Sequence, residues 1–110
     1  MSRNKVMRIR TLNDNLRCNY IGGRVMLTAG ISALDEETRT RIHNAVIVFD
    51  AFTEDNDPHK EHDCASMTVE GVRIMWKIDY YDKSLTYGSP DPSDPHVTER
   101  VMTIMLAEEY

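Results

Sequence analysis

The chain has little of what most often announces a function. It has two cysteines, Cys18 and Cys64, far apart in sequence. A pair this sparse, without a secretory leader, reads as two reduced thiols rather than a disulfide framework. The basic start MSRNKVMRIR is followed by no apolar core or cleavage site, so no export signal is read there. The longest apolar runs, such as Ala45–Phe49, fall far short of the ~20 residues a membrane span needs. These absences place the protein in the cytoplasm, away from the membrane, as an expectation. Glycine is scarce, and Gly22-Gly23 and Gly30 form neither standard phosphate-binding pattern. There are no repeats, low-complexity tracts or linkers rich in Pro, Gly or Ser. What is present is ordinary for a folded protein: 110 residues, 41% hydrophobic and 28% charged, enough for one domain over residues 1–110 and too few for two.

Charge is unevenly spread. The net value is −5, yet residues 1–30 hold six basic groups (Arg3, Lys5, Arg8, Arg10, Arg17, Arg24) against the single acid Asp14. Such asymmetry marks either a nucleic-acid-binding arm beside an acidic body or a basic helix packed on acidic neighbours, in the same fold or in a second subunit. Arg3, Arg10 and Arg17 recur every seven residues, so they form a stripe on a helix and are the candidate nucleic-acid contacts.

Periodicity gives the elements. Ser2 can cap a first helix with Val6, Ile9, Leu12 and Leu16 on one face, ended by Gly22-Gly23. Arg24–Thr28 alternates as a short strand. A second helix starts near Asp35, with Asp35 or Ser32 as cap, Glu36 and Glu37 in the first turn, and Ile42, Ala45, Val46, Phe49 and Phe52 on one face. Met67–Val69 and Val72–Asp82 flank Glu70-Gly71, a two-residue hairpin turn. Val72, Ile74, Trp76, Ile78 and Tyr80 share one face of the second strand, and Leu85–Tyr87 adds a short third. Gly88–Pro95 (GSPDPSDP) excludes regular structure. Asp94 as cap and Pro95 at the first position open a last helix carrying Val97, Val101, Ile104 and Met105. The expected fold is α+β: a small, mostly antiparallel sheet of three to four strands covered by about three helices, in the order α-β-α-β-β-(β)-α.

The densest chemistry lies in Asp50–Asp63 (DAFTEDNDPHKEHD), which holds six carboxylates, His59, His62 and one lysine. His59, His62, Asp57 and Asp63 are candidate ligands for zinc or manganese, with Glu61 or Asp79 as a base. Several specific chemistries fail on missing residues. A calcium loop from Asp55 lacks its glycine and has His59 at a ligand position. A zinc deaminase would need a PCxxC that is absent. The His62-Asp63 pair is similar to that of HD-type phosphohydrolases, which need more ligands than a chain this short supplies. Lys77 and Asp79 lack the acid a metal nuclease places where Met75 stands. Cys64 near His62 offers a thiolate but no orienting partner. A His–Asp pair doing acid–base work without metal, or a chemically silent turn, also fits these residues.

Four motifs in order, Asn56–Asp63 (NDPHKEHD), Trp76–Asp82 (WKIDYYD), GSPDPSDP and Arg100–Tyr110 (RVMTIMLAEEY), together with NDNLR at Asn13–Arg17, the glycine pair with RVMLTAGI, and FDAFTEDNDPH, carry a resemblance. The chain resembles the bacterial family catalogued as domain of unknown function 3768, from about Asn13 to Tyr110. It departs from that pattern at Cys64-Ala65, where the family has an aromatic and a glycine. The resemblance implies a shared fold and site location, and small accessory proteins carried on plasmids and integrated elements. It implies no reaction.

With no complete catalytic signature, the leading expectation is a small acidic interaction or regulatory protein, binding a protein engaged in nucleic-acid processing or host defence. Asp55, Asp57, Glu61 and Asp63 are its expected contacts. A metal-dependent hydrolase on the His59/His62 loop and nucleic-acid binding through the basic helix stand as alternatives.

Overall fold

Helix α1 (Arg3–Asn19) begins the described part of the chain, residues 3–110 of a computed structural model; the cap expected at Ser2 lies outside it. The buried residues of α1 are Ile9, Asn13, Leu16 and Arg17. Val6 and Leu12 are only partly covered, so the buried stripe is turned toward two polar residues that an apolar count passes over. The helix ends where Tyr20 takes a left-handed backbone, φ 56°, and its N–H bonds Leu16 O at 2.9 Å.

Strand β1 (Arg24–Leu27) follows, then a one-turn helix α2 (Ala29–Ser32). Helix α3 (Glu36–Val48) starts as expected: the Asp35 carboxylate accepts from Thr38 N at 2.8 Å, an N-cap with Glu36 and Glu37 in the first turn. It stops at Val48, so Phe49 and Phe52 lie beyond it, yet both still pack on the core. Strand β2 (Cys64–Val69) and strand β3 (Val72–Tyr81) form the expected hairpin about Glu70-Gly71, each at positive φ.

Two expectations fail. Leu85–Tyr87 is a turn rather than a strand; the Asp82 carboxylate accepts from Ser84 Oγ, Thr86 N and Tyr87 N and curls the chain back. The last helix is instead strand β4 (Glu99–Leu106). Asp94 does turn the chain, taking His96 N at 2.9 Å, but an extended segment follows. Arg100, Met102 and Ile104 alternate inward, and the β-branched content of this stretch suits a strand.

The sheet order is β1-β4-β3-β2, with β1 parallel to β4 and the other pairs antiparallel, so the α+β class holds. The helices cover one face, where Leu16, Ile31, Ile42 and Val46 meet Ala65, Ile74, Trp76, Ile78, Met102 and Ile104. Gly23 admits β1 beside β4, because a Cβ there would stand 2.4 Å from Arg100 O. A 3₁₀ turn (Ala107–Glu109) closes the chain's last segment; Glu109 accepts from Thr28 Oγ1 at 2.6 Å, Leu106 N at 2.8 Å and Gly30 N at 3.1 Å. Cys18 and Cys64 are not joined. No helix among the described residues is long and apolar enough to cross a membrane.

Candidate functional site

The acidic segment leaves α3 and crosses α1 before entering β2, and α1 grips it residue by residue. Arg10 Nε donates to Lys60 O at 2.8 Å, Asn13 Nδ2 to Glu61 O at 2.9 Å, and Asp14 Oδ1 meets His62 Nδ1 at 2.8 Å. Three consecutive loop residues are thus each held by one helical residue. Upstream, Thr53 and Asn56 close a turn on each other: Asn56 Oδ1 accepts from Thr53 N at 2.7 Å, and Asn56 Nδ2 donates to Ala51 O at 2.9 Å. Lys60 and His62 pass through the left-handed region, with φ of 60° and 53°, which side chains beyond glycine adopt only under strain. Lys60 is exposed, so Lys60→Gly should raise stability by about 0.5–1 kcal/mol, the relief of strain exceeding the added chain entropy. Urea unfolding measures it; a loss of stability would show that the lysine side chain itself holds the turn.

His62 is fixed from every side. Its ring stacks on Phe52 with centroids 3.8 Å apart and planes 4° from parallel. Its backbone N–H donates to Asp57 Oδ1 at 3.1 Å, and its Nε2 lies 3.7 Å from Asp57 Oδ2. Asp57 is 4% exposed. Beneath the histidine, Arg17 is 3% exposed and donates Nη1 to the carbonyls of Val46 (3.0 Å), Ile47 (3.2 Å) and Phe49 (2.8 Å) at the end of α3. They lie where the helical ladder runs out; of the three, Val46 O also takes the Phe49 N–H at 3.4 Å. The guanidinium also lies over Phe52 and Trp76, at 5.4 and 5.3 Å from the ring centroids, and reaches Asp14 at 3.3 Å.

A second buried network ties the loop to the sheet. Asn13 is fully buried. It donates to the Tyr80 hydroxyl at 2.8 Å and accepts from Arg100 Nε at 2.7 Å. Tyr80 in turn donates to Glu61 Oε1 at 2.7 Å. Arg100 also donates to Pro92 O and stands 5.0 Å over the Tyr80 ring. Burial, and after it the Glu61 carboxylate, holds the Tyr80 phenol far above its ordinary range, so it is the neutral donor of this network. Burial also raises Asp63, with the nearby Glu61 and Asp57 charges adding to it.

The predicted sites are redistributed accordingly. Of the candidate metal ligands, His62 and Asp57 come together and line one depression of about 380 Å³, while exposed His59 lines another of about 600 Å³. Asp63 is half-buried, its carbonyl accepting from Ile78 N at 2.7 Å. Among the described residues no three His, Cys, Asp or Glu side chains gather in a metal-holding group. Of the expected partner contacts, Asp55 is exposed, whereas Asp57 and Glu61 are occupied internally. The arginine stripe is broken: Arg3 and Arg10 line the larger depression, but Arg17 is buried as a helix cap. Asp79, the possible base, pairs with Lys77 at 2.8 Å.

The sequence reading gave Asn13, Asp14 and Arg100 no site role and placed Phe52 and Tyr80 on apolar faces. The signal for the first two was NDNLR, whose Asn13 and Arg17 sit one helical turn apart on the buried face. Comparison with curated proteins and with solved structures finds no match. The family model described as protein of unknown function (DUF3768) matches residues 27–109, from the end of β1 through the loop, the hairpin and β4, and the chain belongs to that family.

Proposed function

We propose that this chain is a small acidic interaction and regulatory protein of the cytoplasm that docks a basic partner protein, one engaged in nucleic-acid processing or host defence. One observation carries the reading. The loop is fastened along α1 and into the sheet, while Asp50, Glu54 and Asp55 stay exposed and make no side-chain hydrogen bond or ion pair among the described residues. Three carboxylates held outward on a braced loop present charge with little ordering entropy left to lose on binding. The net charge of −5 favours encounter with a basic surface, and carriage on mobile elements, implied by the family resemblance, suits such a partner.

The triple variant Asp50→Lys, Glu54→Lys, Asp55→Lys should fold with stability within about 1 kcal/mol of the parent, since only exposed groups change. It should lose at least ~90% of partner capture from lysate of the source organism at low salt, and capture by the parent chain should weaken as salt rises. A specific partner retained equally by both chains overturns the proposal.

A second reading rests on the 2.8 Å Asp14–His62 contact: a carboxylate orienting an imidazole at the wall of a depression is the arrangement of a general base. A zinc- or manganese-dependent hydrolase on His59, His62, Asp57 and Asp63 would have to draw His62 toward His59, which lines the other depression. Metal analysis of tag-free protein separates the two: about one zinc or manganese per chain supports the metal enzyme, and less than about a tenth sinks it.

A further inference from the structure

The depression of about 600 Å³ between α1 and the loop has a composition opposite to that of the chain around it. Its walls bring Arg3 and Arg10 from the helix and His59 and Lys60 from the loop, together with apolar Val6 and Met7, and no carboxylate lines it. Among the described residues no carboxylate lies within ion-pair distance of Arg3, Arg10 or Lys60, although most of the loop's charges are negative. Glu54 and Asp57 share the adjoining depression of about 380 Å³ with Arg10 and Lys60, and they temper the two cations from that side without pairing with them. Arg10 donates Nε to Lys60 O, which holds the two residues side by side on the ridge between this hollow and the adjoining one and leaves the rest of the guanidinium fork for a ligand. Arg3 and Arg10, seven residues apart, stand about 10 Å apart along the axis, with Val6 and Met7 between them.

We infer that this hollow binds a small organic diphosphate, its phosphates gripped by Arg10, Lys60 and Arg3 and its apolar body lying on Val6 and Met7. The volume is that of a small-ligand site. Three permanent cations match a group that carries about −2 for one terminal phosphate and more for two. Guanidinium forks take phosphate oxygens in pairs. The spacing of Arg3 from Arg10 suits two anionic centres better than one. This goes beyond partner docking, which uses the exposed acids Asp50, Glu54 and Asp55.

Amide-resolved NMR titration of the full chain at 50 mM salt tests it, with ADP as probe and adenosine, inorganic phosphate and a short single-stranded oligonucleotide as comparisons. ADP should shift the amides of residues 3–10 and 59–62 and bind at least tenfold more tightly than phosphate, with adenosine silent. The double variant Arg3→Ser, Lys60→Asn should weaken ADP at least tenfold. Both positions are exposed, and Asn tolerates the left-handed backbone of Lys60, so the fold survives; melting no lower than the parent's verifies this. Arg73→Ser, on the far sheet face, should bind as the parent does. Absence of shifts at those amides, equal affinity in the double variant, or an oligonucleotide binding more tightly than ADP with a salt slope of several phosphates overturns the assignment.

Discussion

Arg17→Ala should destabilise the protein by about 3–5 kcal/mol, a large share of the ~5–15 kcal/mol that holds a domain of this size together. Three carbonyls at the end of α3 lose their only side-chain donor among the described residues; Val46 O keeps the Phe49 N–H, and a buried acceptor left unpaired costs about 1–3 kcal/mol. The cation also leaves the faces of Phe52 and Trp76. Arg17→Lys keeps the charge but not the fork, so it should recover less than about half of the loss, because an ammonium does not reach three carbonyls and two rings from one position. Urea denaturation of the parent and both variants gives the comparison. A loss below about 1 kcal/mol for Arg17→Ala would show that water replaces the guanidinium freely and that the residue is no keystone.

Asn13→Ala should cost about 3 kcal/mol or more and lower Tm by on the order of 10 °C. The change removes three hydrogen bonds at once and leaves Arg100, 1% exposed, without its Nε acceptor. Burial already depresses the Arg100 guanidinium, so its partners carry the whole compensation for desolvation. Asn13→Asp separates charge from geometry. It keeps an acceptor for Arg100 but turns the donor shared by Glu61 O and the Tyr80 hydroxyl into a second acceptor. It should therefore destabilise most at neutral pH and approach the parent as pH falls and the new carboxyl gains a proton. Thermal melts of parent and variant from pH 7 to pH 4 read this directly; a gap that stays constant with pH would mean the Asn13 donor contacts to Glu61 and Tyr80 are energetically unimportant.

These two residues also mark where sequence reading stopped. The first helix, β1, α3 and the β2–β3 hairpin were legible because their apolar periods and turn residues act locally. Asp35 capped the predicted helix, and Glu70-Gly71 turned the predicted hairpin. The last element was misread for a physical reason. Its inward set is Arg100, Met102 and Ile104, so the alternation that marks a strand begins on a guanidinium, which a hydropathy pattern scores as solvent-facing. Val97, Val101, Ile104 and Met105 meanwhile stand at helical spacing. Asn13 and the Tyr80 ring, both far off in sequence, and the Pro92 carbonyl, eight residues back, make Arg100 an inside residue. The site was legible in location but not in roles. Six carboxylates in fourteen residues pointed to the loop, yet whether each faces inward is decided by α1 and β3.

The place of β4 in the sheet sets the order in which the fold can assemble. The last strand in this order lies between the first and the third, so Arg24 finds its pairing partner, Val101, only after all of residues 25–100 have been synthesised. Until then β1 has no neighbour and the β2–β3 hairpin has one edge waiting. Closing so distant a pairing is slow compared with forming helices. Until β4 is made, the nascent chain presents a hairpin and helices, and the buried network of Asn13 and Tyr80 lacks Arg100. A stalled or truncated product lacking residues 99–106 would expose the apolar inner face of that hairpin, the state a quality-control protease recognises.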